Sequence, residues 1–115
     1  MHDFKKMKVW QKARELAKNI YLSTSNFPKE EIFGITSQMR RSSISIVSNI
    51  AEGYGRRTKG ELINFLGIAL GSVSELEAQS IIANDLSFLN DDDLTAIQQM
   101  TLEIQKMLYV IMNKP

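Results

Sequence analysis

Few residues in this chain are of types that do chemistry. The single His is His2, at the very start, and there is no Cys. That leaves no thiol nucleophile and no internal imidazole for acid–base work. Glu52 and Glu75 are the carboxylates that two neighbouring helices could bring together as an acid–base pair. Each also has Arg40, Arg41 or Arg56 as a candidate partner, within the chain or across a subunit boundary. Asp91, Asp92 and Asp93 could hold a hard divalent cation, since carboxylate oxygens suit one. The same run, following Asn90, reads better as a helix cap set against the positive end of the helix dipole. The "GYGRR" run, residues 53–57, has the look of a glycine-rich anion loop, but it closes a helix, so its backbone donors point the wrong way. The expectation is a protein that is no enzyme and has no cofactor or metal site.

Basic side chains are the more informative group. Lys5, Lys6, Lys8, Lys12, Arg14 and Lys18 crowd the first twenty residues, and Arg56, Arg57 and Lys59 form a second cluster. Net charge is only +1. Residues 1–60 nevertheless carry 12 Lys or Arg against 5 Asp or Glu, and residues 61–115 carry 2 against 8. Such asymmetry suits phosphate binding, or assembly through opposite surfaces. Lys8, Lys12, Arg14, Lys18, Arg56, Arg57 and Lys59 are the candidate contacts to RNA or DNA, repeated around any oligomer. Against them, the isoelectric point of about 8.0 is low for a nucleic-acid-binding domain. A protein partner without nucleic acid is the alternative.

The elements that would position these residues are helices. Apolar residues recur at helical spacing in four stretches, about 5–25, 35–55, 59–88 and 91–112, with no strand alternation. Pro28 stops the first, and Thr58 to Glu61 has the capping-box pattern for the third. Trp10, Ala13, Ala17, Ile20 and Tyr21 are the expected core of the first helix. Short links imply one all-α domain, an antiparallel up-down-up-down four-helix bundle. A composition of 43% apolar and 23% charged residues is that of a globular protein. With no signal-like start and no apolar run of membrane-spanning length, a cytoplasmic protein that does not meet a membrane is expected.

Two of the helices have an unusual second face. On the second, Arg41, Ser45, Ser48, Glu52 and Arg56, with Asn49 at the edge, fall opposite the core, and Ser is a poor choice for an idle wet face. On the third, Gly67, Gly71, Ser74 and Ala78 form a thin strip flanked by Ile63, Leu70 and Ile81. Two Gly inside a helix cost about 1 kcal/mol each against Ala. A helix that is small or apolar all round is usually buried all round. Arg40, Arg41, Ser45, Ser48, Asn49, Glu52, Gly67, Gly71, Ser74 and Ala78 are therefore the candidate subunit interface of a homo-oligomer.

The motifs themselves resemble a known family. "VWQKA", "FPKEEIFGITSQMRRSSISIVSNIAEGYGR" and "FLGIALGSVSELE" are similar to the four-helix-bundle proteins first described as encoded by intervening sequences inside 23S rRNA genes. Ser42 departs from the pattern, where Ala is usual. The resemblance implies a left-handed bundle assembling as a ring-like homopentamer. It also implies kinship with the basic accessory variability protein of diversity-generating retroelements, a pentamer that partners a reverse transcriptase and nucleic acid. For most of the family it implies no established activity.

Overall fold

The structure is a computed structural model and describes residues 3–115; His2 lies outside the described residues. Four α-helices carry the fold: α1 (Lys8–Thr24), α2 (Ile35–Tyr54), α3 (Lys59–Asp85) and α4 (Asp91–Met112). No strand occurs among the described residues. Each helix packs against two others, in the cyclic order α1, α2, α3, α4, giving a rod of 44 × 23 × 20 Å.

Direction follows from paired residues. Ser42 donates to Glu75 Oε1 at 2.9 Å, and Ser45 Oγ lies 2.8 Å from Ser72 Oγ. A Cβ added at Gly53 would lie 3.1 Å from both Leu62 Cδ1 and Phe65 Cβ. Positions advance on α2 as they fall on α3, so the two helices are antiparallel. Lys12 to Glu103 at 3.5 Å and Asn19 to Met100 Sδ at 3.8 Å show the same for α1 and α4. The up-down order expected from the short links is what the chain adopts.

One continuous core runs the length of the rod. Leu16, Ile20, Met39, Ile46, Ile50, Leu66, Leu76, Ile97, Ile104 and Leu108 are fully buried at helical spacing. Phe27 closes one end against Phe88, their rings 5.9 Å apart. Side-chain hydroxyls within the core satisfy themselves locally: Ser43 and Ser80 donate to the carbonyls of Arg40 and Leu76, both at 2.8 Å. Ser42 is buried too, its hydroxyl used on Glu75.

Several boundaries and faces differ from the sequence expectation. The first helix does not run unbroken from residue 5. Asp3 Oδ1 accepts from the Lys5 amide at 3.0 Å and caps a 3-10 turn, Phe4–Lys6; Met7 is then extended (φ −81°, ψ 128°) before α1 begins. The third helix ends at Asp85 and not near Phe88. Ser87 takes a left-handed φ of 64°, and the Phe88 amide turns back to Ala83 O at 2.9 Å, a Schellman-type stop. Tyr21 is 43% exposed, and Val9 and Leu16 take core places instead. The Thr58 cap forms with altered wiring. Its hydroxyl accepts from the Glu61 amide and donates to Glu61 Oε1, both at 3.1 Å. By length and composition α3 is apolar enough to cross a membrane, contrary to the reading of the sequence. Its apolar residues are divided between a buried face and an exposed one, with Leu66, Ala69, Val73 and Leu76 inside and Ile68, Ile81 and Ile82 outside.

Candidate nucleic-acid and assembly surfaces

Antiparallel packing sorts charge by end of the rod. The start of α1, the α2–α3 turn and the end of α4 meet at one end, where Met7, Tyr54, Lys59, Leu62, Ile111 and Lys114 line a common hollow. Lys5, Lys6, Lys8, Arg56, Arg57 and Lys114 cluster around it. The opposite end gathers the α1–α2 connector, the end of α3 and the start of α4. Glu30, Glu31, Asp85, Asp91, Asp92 and Asp93 lie there. The imbalance between the two halves of the sequence thus becomes a basic end and an acidic end.

The expected nucleic-acid contacts are not equivalent. Lys8, Arg57 and Lys59 are exposed at the basic end, and the Lys59 ammonium donates to the Lys114 carbonyl. Arg56 is committed within the chain. Its guanidinium lies 3.0 Å from Glu52 Oε1 and 3.9 Å from Glu61 Oε2, with its centre 4.7 Å from the Phe65 ring centroid. Lys12 is shared between Glu15 at 3.8 Å and Glu103 at 3.5 Å, and Arg14 stacks over Trp10 at 5.7 Å. Lys18 is exposed farther up α1, away from the basic end. Trp10 itself packs edge-on against Phe4 at 4.9 Å. Burial pushes the Tyr54 phenol above its usual pKa, as expected for an anion that would lose its hydration.

The assembly candidates also divide. Ser45 and Asn49 are half-buried: Ser45 Oγ meets Ser72 Oγ across the α2–α3 seam, and within α2 Asn49 Nδ2 donates to Ser45 O at 2.8 Å and to Ser45 Oγ at 3.1 Å. The reason is that α2 packs on both α1 and α3, which narrows its free arc. Arg40 donates to Thr24 Oγ1 at 3.0 Å and lies 4.8 Å from the Tyr21 ring centroid, closing the α1–α2 seam. Arg41 and Ser48 remain on the outside, and Glu52 is there paired to Arg56. On α3, Gly71, Ser74 and Ala78 are exposed, and Gly67 is half-buried near Met112. A Cβ on Gly71 would meet nothing within 4 Å, and one on Gly67 only the Met112 methyl at 3.9 Å. Nothing in the packing of the described residues calls for either glycine.

The proposed carboxylate pair does not form. Glu52 lies level with the start of α3, and Glu75 lies opposite Ser42, three turns away. Among the described residues no three His, Cys, Asp or Glu side chains group as metal ligands. Asn90 Oδ1 accepts from the Asp93 amide at 2.7 Å, and Asp91 accepts from Asn84 at 2.9 Å, so the acidic run caps α4 as expected. Two features escaped the sequence reading. Phe33, in the connector before α2, is 94% exposed. Lys106 joins Lys6 and Lys8 around an apolar groove between the start of α1 and the end of α4. The first carries no signal in periodicity, and the second unites residues a hundred positions apart.

The described residues thus form a four-helix rod with segregated charge and an apolar outer flank on α3. The chain belongs to the 23S rRNA-intervening sequence protein family, whose model matches residues 5–110. It is similar to a crystal structure of a protein of unknown function from the S23 ribosomal protein family of Bacteroides thetaiotaomicron. That likeness has a TM-score of 0.82 at 28% identity, over 92% of this chain and 99% of the other. No curated protein matches.

Proposed function

We propose that this chain is a non-enzymatic RNA or ribonucleoprotein accessory that works as a side-by-side homo-oligomer, a pentameric ring being the form the family resemblance favours. The observation that carries the reading is the basic end, where exposed Lys8, Arg57 and Lys59 arrive from segments far apart in sequence. A ring with parallel rods repeats that end around one rim, and phosphate contacts made together gain effective concentration. The outer face of α3 supports the assembly. Gly67 and Gly71 leave room for another helix backbone, and exposed Ile68, Ile81 and Ile82 flank that room.

Fluorescence anisotropy with RNA and DNA across a salt series tests the nucleic-acid part. The expected result is affinity falling steeply with salt, with a shallower slope for the Arg56→Gln, Arg57→Gln, Lys59→Gln variant. Absence of binding at low salt would leave the second reading, a protein scaffold. That reading is favoured by exposed Phe33 and by the surface that Tyr21, Ile32, Ile44 and Arg41 share. Light scattering on Gly71→Leu at about 1 M salt, where charge contacts are screened, tests the side-by-side assembly: the variant should lose it where the wild type keeps it.

A further inference from the structure

The basic end holds a feature that phosphate binding does not use. Between the start of α1 and the end of α4 lies an open groove of about 500 Å³. Its floor is almost wholly apolar, made by Met7, Met107 and Val110, and Lys6, Lys8 and Lys106 stand around it. None of these lysines has an acidic partner within 4.0 Å among the described residues. Val110 is 61% exposed, and the two methionines give the floor an adaptable surface. A purely phosphate-binding surface has no need of such a floor.

The chain also carries a surface of the opposite kind. At the far end, the α3–α4 turn exposes Leu86 at 54%, with exposed Asp85 next to it in sequence and exposed Asp92 in the first turn of α4. Asp85 is the last residue of α3. A carboxylate there faces the negative end of the helix dipole and destabilises its own helix. Its presence therefore calls for an explanation outside the helix. An apolar residue at an acidic end matches an apolar groove flanked by lysines, in sign and in character.

We infer that the groove receives the acidic tip of a second copy of this chain, Leu86 entering over Met7 and Val110 while Asp85 and Asp92 face Lys6, Lys8 and Lys106. Such a contact joins different surfaces of identical chains. It is heterologous, and because the two surfaces lie at opposite ends of the rod it propagates end to end without closing. Near-zero net charge with opposite ends favours that arrangement, since whole-molecule repulsion is small and end-to-end attraction is large at low salt. The contact is independent of the α3 flank and of Arg57 and Lys59, and applies equally to single rods or to rings of them.

Sedimentation velocity on the full chain tests it with charge-reversed pairs, all at exposed positions. One variant carries Lys8→Glu and Lys106→Glu, the other Asp85→Lys and Asp92→Lys. The wild type should grow in mass with concentration at low salt and shrink back at about 1 M, where the screening length is about 3 Å. Each variant alone should stack at least about a hundredfold more weakly, since like charges then meet, and mixing the two should restore association between them. Leu86→Ser should weaken stacking with no change of charge. Gly71→Leu and the Arg56, Arg57, Lys59 triple variant should still stack, which separates this contact from the assembly and RNA readings. A wild type whose mass ignores salt, a mixture that fails to associate, or variants that stack unchanged would each overturn the inference. So would palmitate binding that depends on Lys106 in a chain that does not stack, because the groove would then belong to an anionic amphiphile.

Discussion

The inner and outer faces of α3 are built from residues of similar polarity and meet opposite fates. Leu66, Ala69, Val73, Leu76 and Ala83 point inward and are fully buried. Gly67, Gly71, Ser74 and Ala78 point outward, in the company of three exposed isoleucines, and the chain itself puts nothing over Gly71. A third glycine sharpens the contrast. Gly53, on α2, is buried because α3 crosses it closely, with Leu62 O only 3.3 Å from where a Cβ would stand. Gly53 explains itself within one chain, and Gly71 does not. The lesson is that a small residue in a helix marks close approach, and the structure says whether the approaching partner is internal.

Four substitutions would break or sharpen this contrast. The largest effect belongs to the inner face. Leu66→Ala should cost about 2–5 kcal/mol of stability, measured by urea unfolding, because a fully buried side chain leaves a cavity. A cost below that range would mean the core collapses around the gap. Next come the two glycines, which should move in opposite directions. Gly53→Ala should destabilise by about 1–3 kcal/mol through overpacking against α3. Gly71→Ala should stabilise the isolated chain by about 1 kcal/mol through helix propensity, while weakening assembly. Equal signs in thermal unfolding at high dilution would erase the distinction between the faces. The smallest effect is Glu52→Gln, which removes a half-exposed i,i+4 pair with Arg56 worth a few tenths of a kcal/mol. A loss of several times that would show that Glu52 is holding more than its neighbour.

Much of this was legible in one dimension because it is local or periodic. Helical spacing placed Ile46, Ile50, Leu76, Ile104 and Leu108 inside, and each is fully buried. The caps at Thr58 and Asn90 were readable because a cap is a short-range hydrogen bond between residues three apart. Tyr21 was misplaced, since period alone fixes the direction of a stripe only to within a residue or so, and Val9 and Leu16 compete for the same arc. Ser45 and Asn49 are half-buried for a related reason. A helix with two neighbours buries a wider arc than the simple division into core and solvent allows; the Ser45 hydroxyl, which accepts from Asn49, meets Ser72 across the α2–α3 seam.

The sequence by itself determined four amphipathic helices, the N-caps of the third and fourth, the family and the imbalance of charge between halves, because each depends on neighbours in the chain or on a pattern repeated along it. Only the tertiary structure decided where that charge goes. Antiparallel packing superimposes the start of α1 on the end of α4, so Lys6, Lys8 and Lys106 frame one groove while Arg56 is neutralised by Glu52 and Glu61. Which cations stay free is a matter of distances between segments far apart in sequence, and only packing sets those distances.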